Sequence, residues 1–567
     1  MRRFLSAVRP VHLSRLYATG LLCLCLLPSV ASAQAGQTDT VNFAQGAGKY
    51  AFAIGGSTAN DARAMLVQPD SKIVLAGGCQ GSGNSDFCVA RLTASGQLDA
   101  TFVGPSGTSG GGFLLPVGSA NDGASAVALQ SDGRIVLGGT CAGASFNGFC
   151  LVRLNSDGSL DASFNGPDAA GTGEGTGHGK FLLRIGASGH ESLAAMAIQP
   201  DGKIVVAGTC RPATVDLFCV ARLNPNGTFD ASFDGPDAAG TGVGSGNGRF
   251  AVAVGTGSNA AAALAVQPDG KILVVGTCEA GATGLDFCAA RFMSSDGRFD
   301  LAFDGGNNIS TFNGNGKVII QVTAGSSSDY ASAVALRPDG YILIAGSCWN
   351  GSNYDFCGVR LEEGRGRSIT FWSTGFPGFA LPVGTGDDFA TSIAVQPDGK
   401  FVLSGQCQNG AVYQFCAARY HAGGDLDVTF DGDADNGNGR FMVPPLLSDD
   451  HANTMAIQAN AIASSDELRL LIAGSCRIGT VTMFCITRLT YGEHAARNCT
   501  MDLDGDGRML ATVDGLIMTR VMLGITGNAV VAGISFPAAA KRRTWTDIQQ
   551  YLVRQCGFWL PLDLAGL

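Results

Sequence analysis

The sequence predicts an all-β protein, a seven-bladed β-propeller of four-stranded blades, followed by a small helical calcium-loop module. One pattern, a β-like run ending Gly-x-Cys, then a turn, then Phe-Cys-x-x-Arg, occurs seven times at intervals of 59 to 70 residues. Each copy holds several short runs of β-forming residues separated by turn signals. The 82 glycines and the 15 % of charged residues suit a turn-rich β protein. A fixed period without helical patterning is typical of a closed ring of repeats.

Residues 1–33 are predicted to be a secretory signal. Arg2, Arg3, Arg9 and Arg15 are followed by an apolar run over residues 16–30 and by Ala31-Ser32-Ala33. This order of charged, apolar and small residues is typical of a signal that is cleaved, here after Ala33. The alternative is a membrane anchor, but about 15 apolar residues are short for a span of ~20. We therefore expect a secreted, cell-surface or periplasmic protein with no membrane span after signal removal.

Residues 34–490 are predicted to form the propeller, and the third copy illustrates one blade. Its four β-forming runs are residues 179–185, 193–198, 204–208 and 218–223. The turn between the second and third runs is Pro-Asp-Gly, whose glycine accepts the left-handed corner of a type I turn with a bulge. The last copy has residues 459–467 in place of this turn. Counted in this way, residues 49–54 are a first strand and residues 484–489 a last strand, so no blade borrows a strand from another.

Sixteen cysteines remain after the signal, and fourteen of them form a repeating pair. The pairs are Cys79 with Cys88, Cys141 with Cys150, Cys210 with Cys219, Cys278 with Cys288, Cys348 with Cys357, Cys407 with Cys416, and Cys476 with Cys485. We expect each pair to form a disulfide between facing residues of two antiparallel strands, since an exported protein is oxidised. Zinc sites are the alternative, but each repeat offers two sulfurs and no nearby histidine. The remaining cysteines, Cys499 and Cys556, are predicted to pair with each other.

An arginine closes the repeating pattern in every copy. These arginines are Arg91, Arg153, Arg222, Arg291, Arg360, Arg419 and Arg488. They could form a basic ring for an anionic ligand, or each could brace a sheet to a loop through a nearby carboxylate. Five copies place an aspartate just downstream, which favours the brace: Asp99, Asp161, Asp230, Asp300 and Asp427.

These repeats resemble a known bacterial family. Over residues 45–490 the repeats are similar to the delta-60 repeat of bacterial exported proteins. The resemblance rests on four motifs that follow one another in the repeat: Gln-Pro-Asp-Gly-Lys-Ile, Val-Ala-Gly, Phe-x-x-Ala-Arg-Leu-Asn and Gly-x-Phe-Asp-x-Ser-Phe. The resemblance implies a propeller-like bacterial surface or secreted protein. The family has no established chemistry, and the cysteine pair is an addition to its usual repeat.

Residues 491–567 are predicted to be a separate calcium-binding helical module. Asp502, Asp504 and Asp506 stand at positions 1, 3 and 5 of an EF-hand-like loop, and the carbonyl of Arg508 stands at position 7. Position 12 is Val513, so Asp514 at position 13 is predicted to be the closing ligand of one calcium ion. A solvated Asp-Gly turn without metal is the alternative.

The same segment resembles one half of a dockerin, the calcium-dependent docking module. Residues 515–524 are predicted to form a short helix that ends at glycine. The second half departs from the dockerin pattern, because residues 529–541 contain no acidic loop. A second helix is predicted over residues 546–555, with Ile548, Leu552 and Cys556 on one face, which would carry Cys556 toward Cys499.

The composition excludes some functions and leaves two classes open. A net charge of −10 and a pI near 5.1 argue against a nucleic-acid surface. The five histidines of residues 34–567 are scattered, and no nucleophile, metalloprotease or nucleotide-loop motif is present. We expect an extracellular binding or structural scaffold protein whose partner is an extracellular protein or a glycan. The alternative is a propeller glycoside hydrolase or polysaccharide lyase that uses carboxylates at a channel mouth.

Overall fold

The computed structural model describes residues 38–552 apart from a set of short gaps. The gaps are residues 41–42, 108–109, 144–145, 165, 167–172, 176–178, 186–188, 237–241, 244–247, 282–283, 306–314, 324–327, 370–377, 431–437, 445–448, 459–467, 491–501, 507, 523–526, 546 and 549–551. The predicted signal at 1–33, the long loop at 459–467, and both Cys499 and Cys556 lie outside the described residues.

Seven antiparallel sheets form the blades of a β-propeller. The inner strands are β2 (Asn60–Val67), β6 (Asp122–Leu129), β11 (Glu191–Ile198), β16 (Asn259–Val266), β20 (Asp329–Leu336), β25 (Asp388–Val395) and β29 (Asp450–Gln458). The second strands are β3 (Ile73–Gln80), β7 (Ile135–Ala142), β12 (Ile204–Cys210), β17 (Ile272–Glu279), β21 (Tyr341–Trp349), β26 (Phe401–Asn409) and β30 (Arg469–Ile478).

The third strands carry the Phe-Cys-x-x-Arg pattern, and the fourth strands are short. The third strands are β4 (Ser85–Leu92), β8 (Asn147–Leu154), β13 (Leu217–Leu223), β18 (Leu285–Phe292), β22 (Tyr354–Glu362), β27 (Val412–Tyr420) and β31 (Val481–Thr490). The outer strands are β5 (Gly112–Leu115), β10 (Lys180–Leu183), β15 (Arg249–Val252), β19 (Lys317–Ile320), β24 (Gly378–Leu381), β28 (Arg440–Met442) and β1 (Lys49–Phe52). Three shorter strands add to blades 2, 3 and 5: β9 (Gly173–Gly175), β14 (Gly242–Val243) and β23 (Ser368–Ile369).

The predicted blade count is confirmed, but the predicted division of strands among blades is wrong. The run expected to begin each copy is the outer strand of the preceding blade, as shown by β10, which pairs with β8. In the same way β1 pairs with β31 of the last blade, with Ala51 opposite Cys485. The ring therefore closes with a strand that the last blade borrows from the start of the chain.

Side chains seal this closure in addition to the strand pairing. Asn453 on the inner strand of blade 7 donates to the Asp61 carboxylate at 2.7 Å and to the Ala62 carbonyl at 2.8 Å on blade 1. Phe52 and Ile54 pack in one buried cluster with Leu471 and Phe484 of blade 7. Blades 1 and 7 therefore share a core, as do neighbouring blades elsewhere in the ring.

A bulge in the inner strand explains the glycine of each Gly-x-Cys motif. In blade 4 the register shifts between Ala261 and Ala263, opposite Gly276. A Cβ atom added to Gly276 would lie 2.0 Å from the carbonyl oxygen of Ala260. The equivalent glycines of the other blades would place a Cβ atom 1.8 to 2.1 Å from the corresponding carbonyl oxygen. Only glycine fits this contact, so the motif belongs to the blade and not to a ligand site.

The Pro-Asp-Gly turns adopt the predicted geometry. Gly202 has φ +84° and donates its N–H to the Gln199 carbonyl, while the Gln199 N–H is donated to the Lys203 carbonyl. Blade 1 has Ser71 at the left-handed corner, with φ +63°. These turns lie at the end of the propeller where the inner strands finish.

The carboxyl-terminal segment has a small core of its own. Its helix α1 (Asp514–Met522) packs Ile517 and Val521 against Trp545, Ile548 and Leu552. Single 3-10 turns lie at Ala44–Gly46 and Gly527–Ala529. The helices that the structure describes are all too short or too polar to cross a lipid bilayer.

Candidate functional site

Each repeating cysteine pair forms a disulfide within its own blade. The Cα–Cα distances of the seven disulfides are 5.6 to 5.8 Å. The expectation of facing residues is wrong in register, because Cys79 lies opposite Asp86 and Cys88 lies opposite Gly77. The disulfide therefore crosses the hairpin diagonally. Seven disulfides are typical of an oxidising compartment.

The repeating arginines are buried braces, which confirms the structural interpretation. Arg222 is 1 % exposed, donates Nε to Asp230 at 2.7 Å, and stacks on Phe233 at 4.3 Å. It also donates to the Ser294 and Ser295 carbonyls of the next blade. The same carboxylate contact recurs at Arg91, Arg153, Arg291 and Arg419. These guanidinium groups are committed to the fold and are not a surface for anions.

The last blade obtains its brace from the opposite end of the chain. Arg488 donates Nε to Asp39 at 3.0 Å and stacks on Phe43 at 4.6 Å. Arg469 shares the same carboxylate at 3.3 Å. Asp39 and Phe43 therefore repeat the roles that Asp230 and Phe233 have in blade 3. Sequence reasoning missed this pair, because Asp39 and Phe43 are one residue further apart than the Asp-x-x-Phe of other copies and lie far upstream of Arg488.

The propeller has one end where the disulfide hairpins lie and the inner strands begin, which we call the clasp end. Six rings from blades 5, 6 and 7 form a contiguous group there, the aromatic arc: Tyr330, Trp349, Tyr354, Phe389, Tyr413 and His451. Successive ring centroids from Trp349 to His451 are 5.1, 5.6, 6.5 and 5.4 Å apart. Tyr330 is 41 % exposed and the other rings are partly exposed. The arc is thus an accessible aromatic surface.

The arc differs from the rest of the ring at equivalent positions of the repeat. The hairpin residue that is Tyr354 in blade 5 and Tyr413 in blade 6 is Ser85 in blade 1 and Asn147 in blade 2. The second inner-strand residue that is Phe389 in blade 6 is Gly123, Ser192 and Ala260 in blades 2, 3 and 4. The fold does not require aromatic side chains at these positions, since four other blades form without them.

Two carboxylates border the arc in matching positions. Asp387 accepts the Tyr354 N–H at 3.0 Å, and Asp449 accepts the Tyr413 N–H at 3.2 Å. In blade 2 the equivalent residue is Asn121, whose amide oxygen accepts the Ser85 N–H at 3.0 Å. Both aspartates are partly exposed, and among the described residues no hydrogen bond reaches the second oxygen of either.

The electrostatic environment of the arc is negative. Burial raises the pKa of Tyr354, and its neighbour Tyr330 together with the Asp387 and Asp329 charges raises it further. Burial also raises the pKa of Tyr413, with added effect from the charges of Asp387, Asp388 and Asp449. Negative charge therefore concentrates beside the rings.

Buried carboxylates lie beneath this surface at the blade junctions. Asp388 is fully buried and accepts the Val383 and Gly384 N–H groups at 2.6 and 2.9 Å. Burial, with the nearby charge of Asp355, raises the pKa of Asp388 to about 6. Asp355 is 3 % exposed and accepts the Asn350 amide at 2.7 Å. These groups hold loops at the start of the inner strand and are sealed from solvent.

The acidic loop of the carboxyl-terminal segment brings three of the predicted calcium ligands together. Carboxylate oxygens of Asp502, Asp504 and Asp514 all lie within 4.8 Å of one another. Asp514 also accepts the Leu503, Asp504 and Leu510 N–H groups. Asp506 instead accepts the Arg508 N–H at 2.7 Å, and Arg508 is exposed.

Asp504 is the most buried carboxylate of this loop. It is fully buried, and its Oδ2 accepts no hydrogen bond from the residues that the structure describes. Burial, with the charges of Asp514 and Asp506, raises its pKa. An unpartnered buried carboxylate oxygen is costly unless a cation contacts it, so the donor set fits a hard divalent metal.

Five of the repeats match the family described as a domain of unknown function (DUF5122) beta-propeller. The matched residues are 68–102, 130–164, 199–233, 267–303 and 396–430, each running from the turn after the inner strand to the phenylalanine that stacks on the buried arginine. This family is related to the predicted delta-60 repeat. No curated protein matches the chain.

Several solved structures are similar to this chain in fold. A protein of unknown function from Dyadobacter fermentans has 13 % identity and a TM-score of 0.34, with 70 % of this chain and 96 % of that chain covered. The polysaccharide lyase Uly1 has 12 % identity and a TM-score of 0.45, with 81 % and 98 % covered. A virginiamycin B lyase from Staphylococcus aureus has 8 % identity and a TM-score of 0.38, with 77 % and 98 % covered.

Proposed function

We propose that the protein is a secreted binding propeller whose ligand surface is the aromatic arc at the clasp end. The observation that carries this proposal is the placement of partly exposed rings at repeat positions that hold non-aromatic residues in blades 1 to 4, such as Ser85, Asn147 and Ala260. Exposed aromatic side chains grouped on one surface are typical of recognition sites. The disulfides and buried braces make the ring rigid, so little conformational entropy is lost on binding.

The test compares the full chain with a variant that carries the residues of sister blades. Tyr354→Ser and Tyr413→Asn reproduce blades 1 and 2 at the same positions, so the variant should fold. Both proteins are applied to arrays of extracellular proteins and glycans. We expect at least one ligand that binds the natural chain and is lost in the variant. Equal binding of every ligand by both proteins would contradict an arc-based function.

Catalysis on a polysaccharide is the second candidate function, favoured by the number of carboxylates at the clasp end. Asp387 and Asp449 are partly exposed there, whereas Asp355 and Asp388 are sealed from solvent. A hydrolase or lyase needs carboxyl groups that reach the glycosidic bond. Reducing-end and unsaturated-product assays on any array glycan that binds will separate the two functions, because a binder leaves the glycan intact.

We also propose that the carboxyl-terminal module binds one calcium ion through Asp502, Asp504 and Asp514, with Asp506 and the Arg508 carbonyl completing the loop when the metal is present. Support comes from the three converging carboxylates and the unpartnered Oδ2 of Asp504. Three negative charges this close repel one another unless a cation lies between them.

Calorimetric titration of the full chain with calcium tests the metal site. We expect one site in the natural protein and none in Asp504→Ala. The matched control is Asp547→Ala, which removes an exposed carboxylate from the same module. Absence of heat in the natural protein, or equal heat in the Asp504 variant, would leave the loop as a metal-free turn.

A further inference from the structure

The shape of the aromatic arc indicates which chemical groups it can hold. Trp349 meets Tyr354 at 65° and Tyr330 meets it at 57°, with centroids 5.1 and 5.7 Å away. These rings form a corner of steeply inclined faces rather than one flat platform. A compact cation can contact several ring faces at once in such a corner, whereas sugar stacking favours a flat ring face.

A bound cation also needs negative charge beside the ring faces, and the carboxylates that border the arc supply it. Asp387 stands beside the Tyr354 corner and Asp449 stands beside Tyr413, each with one oxygen committed to a backbone N–H. The other oxygen of each faces no hydrogen-bond donor among the described residues. A ligand ammonium or guanidinium group can therefore contact a ring face and a carboxylate oxygen together.

A carboxylate beside a pair of neighbouring rings occurs twice along the arc, and the rings of these two pairs meet at 32° and 36°. We call each of these groups an aromatic–carboxylate unit. The first unit lies at the junction of blades 5 and 6 and consists of Tyr354, Phe389 and Asp387. The second lies at the junction of blades 6 and 7 and consists of Tyr413, His451 and Asp449. Blade 2 uses Asn121 for the same backbone contact, so the fold needs only an acceptor oxygen there. The negative charge at Asp387 and Asp449 is thus additional to the structural requirement.

We propose that the aromatic arc binds extended cationic peptides, with lysine or arginine side chains seated in the two aromatic–carboxylate units. This inference rests on the proposed binding function and names its ligand class. Two units in neighbouring blades let one chain engage both, which strengthens binding through effective concentration. The net charge of −10 adds long-range attraction for such a ligand.

The experiment titrates the full chain with a hexalysine peptide, with hexaglutamate as the charge control and a neutral glucan hexasaccharide as the glycan control. The decisive variant is Asp387→Asn with Asp449→Asn, which keeps both backbone contacts as Asn121 does. We expect hexalysine binding about tenfold weaker in this double variant and in the Tyr354→Ser, Tyr413→Asn variant. The matched control is Asp201→Asn with Asp398→Asn, which removes two charges at the opposite end of the inner strands and should leave affinity unchanged.

The outcomes separate the ligand class from the binding function. If the glucan binds and is lost in the tyrosine variant but not in the aspartate variant, the cationic class is wrong and the binding function stands. If hexalysine binds equally to all variants, its attraction is nonspecific and the proposal is overturned. If none of the three probes binds, the cationic class is overturned, and the array comparison alone decides the binding function.

Discussion

At the scale of single residues, the buried arginines decide how blades are joined to one another. In blades 1 to 4 the guanidinium contacts a carboxylate of its own blade, an aromatic face and a backbone carbonyl of the next blade, as Arg222 does with Asp230, Phe233 and Ser294. Because the charge is removed from water, loss of one partner leaves the other charged group buried without compensation.

Replacement of Arg222 by methionine is therefore expected to lower the free energy of unfolding by about 3 kcal/mol, since it leaves Asp230 buried with Lys203 as its remaining cation. Chemical denaturation measures the change. Arg211→Met is the control, because its ion pair with Asp216 is solvent-exposed and its loss should leave the free energy of unfolding nearly unchanged. Equal effects of the two substitutions would contradict the brace.

The residues of the aromatic arc show what sequence reasoning missed at this scale. Tyr354, Phe389 and Tyr413 are distant in sequence and belong to no motif, so motif searching passes over them. Their signal is a comparison of equivalent positions among the seven copies, where aromatic residues stand in place of the non-aromatic residues of blades 1 to 4. The arginine braces were predictable because Asp230 follows Arg222 in the same copy, whereas Asp39 precedes Arg488 by most of the chain.

At the scale of elements, the bulge of the inner strand sets the shape of every blade. Gly276→Ala is expected to destabilise the protein by about 1–3 kcal/mol, because its Cβ atom would overlap the Ala260 carbonyl oxygen. Thermal unfolding provides the measurement. Gly83→Ala is the matched control, since a Cβ atom there has open space. A neutral effect at Gly276 would show that the bulge can relax.

The closing strand β1 is a second test at this scale. A chain that begins at residue 55 lacks Asp39 and the buried Phe43, Phe52 and Ile54. Burial of three such apolar side chains is worth roughly 1.5–3 kcal/mol each. We expect a lower Tm and protease cleavage in blade 7, whereas a chain that begins at residue 38 should match the full protein. An unchanged Tm in the shorter chain would mean that ring closure adds no stability.

The strand order explains why the sequence could not predict the phase of the repeat, that is, which of the four strands comes first in each blade. Periodicity fixes the four strands of a unit but not which of them comes first, because any starting point gives the same period. Only ring closure decides the phase, and it depends on contacts such as Tyr50 opposite Ile486. The turns, the cysteine pairs and the blade count depend on local patterns and were predictable.

At the scale of the whole molecule, buried carboxylates give stability two opposing responses to pH. Hydrogen bonds from Thr101 and the charge of Arg91 overcome burial and lower the pKa of Asp99 to about 2, and similar contacts lower that of Asp230 to about 2. Their contribution is present above about pH 4 and is lost as the pH falls toward 2. Asp388, with its pKa raised to about 6, favours the folded state below about pH 4 and loses that contribution as the pH rises through 6.

We therefore expect Tm to be highest near pH 4. It should fall when the pH is lowered below about 4, and it should also fall when the pH is raised from about 4 to 7. The substitution Asp388→Asn should flatten the decline between pH 4 and 7 and leave the acid limb unchanged. Calorimetric scans across this range measure both limbs, with Asp398→Asn as a control at the opposite end of the inner strands. If the Tm of Asp388→Asn falls between pH 4 and 7 as steeply as that of the natural protein, another group is responsible for this decline.

The positions of the disulfides and of the closing strand imply an order of assembly. Each disulfide joins residues nine or ten apart, so it can form as soon as its own hairpin exists. Ring closure must bring together residues as far apart as Gly48 and Thr487, a separation of 439 positions. Loops this long close much more slowly than a local hairpin forms, so each hairpin is in place before the ring closes. Each cysteine then lies beside its own partner before distant blades meet, and mispairing between distant blades is avoided by timing as well as by geometry.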